Sequence, residues 1–125
     1  MSLNTNMLIG AQLVSFDDYG FTVKKGEETY VFEYETDYGG CCGFTQIDTD
    51  LCVDLNDPSN NPVITKVELD PYCDDGDGLI ITLFGLYKPL AIANVYASSG
   101  SGWEYGASVS LHCVQTDETT TLVQY

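Results

Sequence analysis

Apolar and polar residues alternate with a period of two along much of this chain, and no window of helical length keeps a 3.6-residue repeat. Ala11–Phe16 reads as a strand, after a helical turn at Met7–Gly10. In Tyr19–Lys25, residues Tyr19, Phe21 and Val23 share one face, with Gly20, Thr22 and Lys24 opposite. Gly26 turns the chain into Glu28–Glu35, where Tyr30, Phe32 and Tyr34 share a face; this pair is the strongest hairpin signal. Residues 36–43 read as a glycine-rich loop and Phe44–Leu51 as a strand. Asp57-Pro58 and Asn61-Pro62 break the next stretch before Val63–Asp70, where Val63, Thr65, Val67 and Leu69 share a face. Pro71–Gly78 reads as an acidic loop. Leu79–Gly85 is apolar on both faces, which predicts a central strand, with Leu90–Ala97 as its neighbour. Ser98–Gly106 is a second glycine-rich loop, and Ala107–Gln115 and Thr120–Gln124 close the chain around a turn at Asp117-Glu118.

About eight short strands at regular spacing predict an all-β fold, a single-domain antiparallel sandwich or small barrel. The domain is expected over residues 7–125, with residues 1–6 as a disordered or vector-derived N-terminus. A chain of 125 residues buries roughly two-thirds of its unfolded surface and needs no metal or disulfide to fold.

Charge changes the picture most. The 19 acids face 4 basic residues, all lysine, for a net charge of −15. Residues 27–77 hold 14 of those acids and a single lysine, Lys66. Phosphate contacts need Lys and Arg, so this balance argues against nucleic acid or an anionic membrane as a partner. No apolar run reaches the length of a membrane helix, and no secretory leader is visible. Five cysteines, an odd number without dense spacing, predict reduced thiols in a cytoplasmic protein.

The order Leu8-Ile9-Gly10, Asp37 with Cys41-Cys42, Ile47-Asp48, Asn61-Pro62-Val63-Ile64 and Ser99-Gly100-Ser101-Gly102-Trp103 resembles small acidic proteins of phages and prophages of Gram-positive bacteria, grouped as a domain of unknown function. The likeness spans most of the chain. It implies a bacterial cytoplasm and a phage-related role, and it carries no activity.

Candidate chemistry is sparse. Vicinal Cys41 and Cys42 point to opposite faces of an extended backbone and lack the two-to-four-residue ligand spacing of zinc sites. Cys52, Cys73 and Cys113 are isolated and read as small buried hydrophobes, and acidic surroundings raise thiol pKa values. His112 is the only histidine. Strand parity puts it towards solvent and Cys113 in the core, which argues against a Cys–His dyad. Asp74, Asp75 and Asp77 in the acidic loop are the candidate calcium ligands, weighed against a solvated Asp-Gly turn. Asp48, Asp50 and Asp54 are a weaker candidate of the same kind; Asp48 and Asp50 are expected on one strand face, where they repel unless something positive sits there.

The balance of these features predicts a non-enzymatic protein-binding module without a required cofactor, its partner an unidentified and basic protein. DNA mimicry is a narrower version of that reading. The binding surface is expected on the two glycine-rich loops, with Asp37, Tyr38, Cys41 and Cys42 on one and Trp103, Glu104 and Tyr105 on the other. A calcium-binding domain or metal-dependent enzyme, and a self-assembling structural domain with an open sheet edge, are the alternatives. Oligomeric state is left open.

Overall fold

The computed structural model describes residues 5–38, 44–73, 76–98 and 106–125. Nine strands form two antiparallel sheets, a sandwich. The strands are β1 (Gln12–Asp17), β2 (Gly20–Lys25), β3 (Glu28–Tyr38), β4 (Phe44–Leu51), β5 (Lys66–Cys73), β6 (Asp77–Phe84), β7 (Pro89–Ser98), β8 (Ala107–Cys113) and β9 (Glu118–Gln124). One sheet runs β1-β2-β3-β8-β9 and the other β4-β7-β6-β5.

Alternation places the core. On β6, Leu79, Ile81 and Leu83 turn inward opposite Val95, Ala93 and Ala91 of β7. Leu13, Phe16, Phe21, Val23, Phe32, Val109, Leu111 and Cys113 face them from the five-stranded sheet, in one buried cluster. The expectation that Leu79–Gly85 and Leu90–Ala97 are central neighbours is met. Three register shifts correct simple alternation, one of them setting Phe84 against Pro89 and burying Leu90 beside Ala91. A bulge at Val14 turns both Leu13 and Phe16 inward, and one at Leu122 buries both Leu122 and Val123.

Glycine acts at two turns. Asp17 caps the β1–β2 turn, its Oδ1 accepting from the amides of Tyr19 (2.9 Å) and Gly20 (3.1 Å). Any Cβ on Gly20 would strike the Phe32 carbonyl of β3. Gly26, at φ 65°, makes the β2–β3 turn in the left-handed region that favours glycine.

Several boundaries differ from expectation. The N-terminal turn is a 3₁₀ helix at Thr5–Met7, and the Asn6 carbonyl accepts from Lys25 Nζ at 2.9 Å, so the chain is anchored before residue 7. Val63 and Ile64 do not begin a strand of the second sheet. Val63 bridges Gln12, and the Ile64 amide bonds the Ala11 carbonyl at 2.8 Å, covering the edge of β1. The acidic loop is largely strand: Pro71, Tyr72 and Cys73 pair with Leu79, Gly78 and Asp77. Proline is tolerated there because β5 is an edge strand.

Tyr34 packs edge-on to Phe21, beside the Phe16–Phe21–Phe32 stack, with its hydroxyl buried and without a hydrogen-bond partner. Burial first, then Asp17 and Asp18, pushes its ionisation well above the ordinary value of 10. The fold therefore holds the neutral phenol. The resulting stability is complete below pH 10 and is lost as pH rises from there through the folded-state value. Tyr34→Phe is expected to flatten this alkaline loss and to be no less stable at pH 7, because it removes an unpaired buried hydroxyl; urea midpoints at pH 7 and pH 11 check both. Leu83→Ala is expected to cost about 3 kcal/mol in the same assay.

Candidate functional site

The registers order the outer face of the four-stranded sheet into rows. Gln46, Tyr96, Gly78 and Tyr72 form one row across β4, β7, β6 and β5. Asp48, Asn94, Ile80 and Asp70 form the next, and Asp50, Ile92, Thr82 and Glu68 the third. Phe44 extends the aromatic end, and Phe84 with Lys66 closes the other.

Small residues make the aromatic row. A Cβ on Gly78 would lie inside the Tyr72 ring, and one on Gly76 would meet the Tyr96 hydroxyl at 2.5 Å. The missing side chains, on β6 at Gly78 and just before it at Gly76, thus give both tyrosines room. Their ring planes lie within 14°, centroids 6.4 Å apart, and Phe44 sits 5.7 Å from Tyr96. The Tyr72 hydroxyl donates to Asn94 Oδ1 at 2.6 Å, fixing the amide in the second row.

The acids lie along the two edge strands. Asp48 and Asp50 line β4, while Glu68 and Asp70 line β5. Adjacent strands are about 4.8 Å apart, so the two acidic rails stand roughly 14 Å apart across a strip carrying Ile80, Ile92, Thr82 and Asn94. Gln46 Nε2 donates to Asp48 Oδ2 at 2.7 Å. Lys66 is the one cation of these rows; it pairs with Glu68 at 2.7 Å and lies 5.4 Å from the centroid of the Phe84 ring.

The acids of residues 27–77 do not gather on one surface. Glu33, Glu35 and Asp37 lie on the opposite outer face, in register with His112, Ser110 and Ser108 of β8. His112 is partly exposed there, its Nδ1 2.8 Å from Thr119 Oγ1 and its Nε2 3.5 Å from Asp117. Cys113 lies in the core, while Cys52 and Cys73 are exposed rather than buried as expected. Desolvation, then Asp50, pushes the Cys52 thiol up.

Of the residues singled out in the sequence, Asp37 and Asp77 fall on different sheets, and Tyr38 ends β3. Cys41, Cys42, Asp74, Asp75, Trp103, Glu104 and Tyr105 lie outside the described residues. The strand ends bordering their segments share one end of the sandwich: Tyr38 pairs with Ala107, Phe44 with Ser98, and Asp77 with both Cys73 and Ala97. Asp77 is engaged structurally, its Oδ2 accepting from the Gln124 amide at 2.9 Å and tying the two sheets. Among the described residues, no group of three His, Cys, Asp or Glu side chains is placed to hold a metal ion. No described helix is long and apolar enough to cross a membrane.

Sequence reasoning passed over Tyr72, Asn94 and Tyr96. The signal was present in the shared parity of Tyr72, Asp70 and Glu68, but two glycines and three aspartates after Cys73 made this segment read as a loop. At the other end of the sheet, the β6–β7 hairpin exposes Leu86 and Tyr87, beside Lys88, whose Nζ donates to Asn60 Oδ1 at 3.3 Å.

No protein-family model matches the chain, and neither a curated protein nor a solved structure matches it.

The hydrogen bond between Tyr72 and Asn94 has a direct check. Tyr72→Phe is expected to cost about 1 kcal/mol by urea denaturation while leaving the fold intact, whereas Gly78→Val, which forces the ring off the sheet, is expected to cost more.

Proposed function

We propose that the protein is a non-catalytic acidic binding module that receives a cationic protein partner on the outer face of its four-stranded sheet. One observation carries this reading: four carboxylates stand in two facing pairs across a partly apolar strip, with Lys66 their only basic neighbour in the rows. Along each rail the two carboxylates stand two residues apart, about 7 Å, where like charges repel, and a partner's lysines or arginines relieve that repulsion on binding. The aromatic row adds ring faces that attract the same cations. Such a partner docks rapidly at low salt and more slowly as salt screens the field.

The division of acids between two opposite faces supports a discrete partner surface more than DNA mimicry, which calls for one continuous track of charge. A cytoplasmic, phage-related setting belongs to the same proposal and draws its support from the sequence alone, from its motifs and its cysteine usage.

Two variants of equal net charge test the reading. Asp48→Asn/Asp50→Asn/Glu68→Gln/Asp70→Asn neutralises the proposed face, and Glu27→Gln/Glu33→Gln/Glu35→Gln/Asp37→Asn neutralises carboxylates of the other sheet. Binding of an octalysine peptide at low salt, measured by calorimetry, is expected to weaken on the order of tenfold in the first variant and much less in the second. Equal losses in both would reduce the effect to net charge and refute the assigned surface.

A further inference from the structure

The four sheet edges are not alike. The edge of β1 is bulged at Val14 and covered by residues 62–64, with Leu13 N donating to the Pro62 carbonyl at 2.8 Å. β5 carries Lys66, Glu68, Asp70 and Pro71. β9 is bulged at Leu122, and Asp77 occupies its Gln124 amide. These are recognised ways of blunting an edge against strand pairing.

The edge of β4 carries charge too, at Asp48 and Asp50, but among the described residues it has neither a bulge nor a covering segment. Its eight residues pair with β7 without a register shift. It contains no proline or lysine, and among the described residues its free side takes part in no backbone ladder. The first sheet reaches it through a side-chain bond, Thr49 Oγ1 to Asp18 Oδ1 at 2.5 Å. Its burial alternates cleanly, with Gln46, Asp48 and Asp50 outward and Thr45, Ile47 and Thr49 half-buried towards the core.

We propose that β4 is a strand-addition site for an extended segment of a partner protein in which basic and apolar residues alternate. This rests on the acidic-face reading and specifies how the partner engages it. Backbone hydrogen bonds to the β4 edge supply affinity, and alternate side chains supply specificity. Lysines or arginines of the added strand fall beside Asp48 and Asp50 on the outer face, while its apolar residues meet Ile47 on the inner one. Charge argues against a second copy of this chain as the occupant. Pairing β4 with β4 sets Asp48 and Asp50 against the same residues, and pairing β4 with β5 sets them against Glu68 and Asp70.

The test compares two octapeptides of identical composition, one alternating valine and lysine and one with four valines followed by four lysines. Amide hydrogen exchange of the full chain is read by NMR. The alternating peptide is expected to bind at least about fivefold more tightly than the block peptide and to slow exchange selectively in Phe44–Leu51. Asp48→Asn/Asp50→Asn is expected to weaken it on the order of tenfold. N-methylating alternate peptide amides on the paired side is expected to abolish the protection. Equal binding of both peptides, or binding without slowed exchange in β4, overturns strand addition; octalysine binding that still depends on the four carboxylates would then leave the acidic-face reading standing. A dimer that protects β4 in the absence of peptide also overturns the proposal, because the occupant is then a second copy.

Discussion

The apposition of β6 and β7 is the constraint on which the rest of the structure depends. Beyond Asp77 the inward positions of β6 are bulky, Leu79, Ile81 and Leu83, whereas β7 offers Ala91, Ala93, Val95 and Ala97. Large residues on one central strand fill the space left by small ones on its neighbour. The facing sheet can then approach and set Val109, Leu111 and Cys113 into the same layer. The same two strands also carry the outer face. Gly78 and Gly76 give way to Tyr72 and Tyr96, and Ile80 and Ile92 form the strip between the acidic rails. Core and surface therefore share one pair of strands, and a shift of one residue in their register would exchange the two.

Much of this architecture was legible in the sequence. The clean alternation of Phe21 and Val23 against Tyr30, Phe32 and Tyr34 defined a hairpin, and the double-faced apolar runs at 79–85 and 90–97 identified the central pair. What failed had physical causes. Bulges at Val14 and Leu122 break the period of two, so adjacent residues such as Leu122 and Val123 both turn inward. Val63 and Ile64 alternate like strand residues, yet they pair with the N-terminal segment instead of extending β5. Pro71 and a run of Asp and Gly look like a loop, although an edge strand accommodates both.

The candidate surface was legible only in part. Asp48 and Asp50 could be placed on one face by parity alone. That Glu68 and Asp70 oppose them depends on β4 and β5 occupying the two edges of one sheet, a fact of topology that no local pattern contains. Nor does local sequence reveal that Tyr72 lies over Gly78, six residues away in the chain and directly across in the ladder. The two glycine-rich segments drew attention by composition, whereas the described geometry concentrates on the strands between them.

The β3–β8 pairing joins residues about seventy to eighty positions apart, Phe32 with Cys113 and Tyr38 with Ala107. During synthesis, β3 therefore emerges, with its partner β2 already made, long before the strand that covers its other side exists. In that interval an eleven-residue strand containing four aromatic residues and a valine presents a bare edge, the kind of segment through which nascent chains associate. Glu33, Glu35 and Asp37 interrupt it at every second position. In the finished molecule they are surface carboxylates; on the ribosome the same charges act as gatekeepers, keeping neighbouring copies apart until β8 arrives.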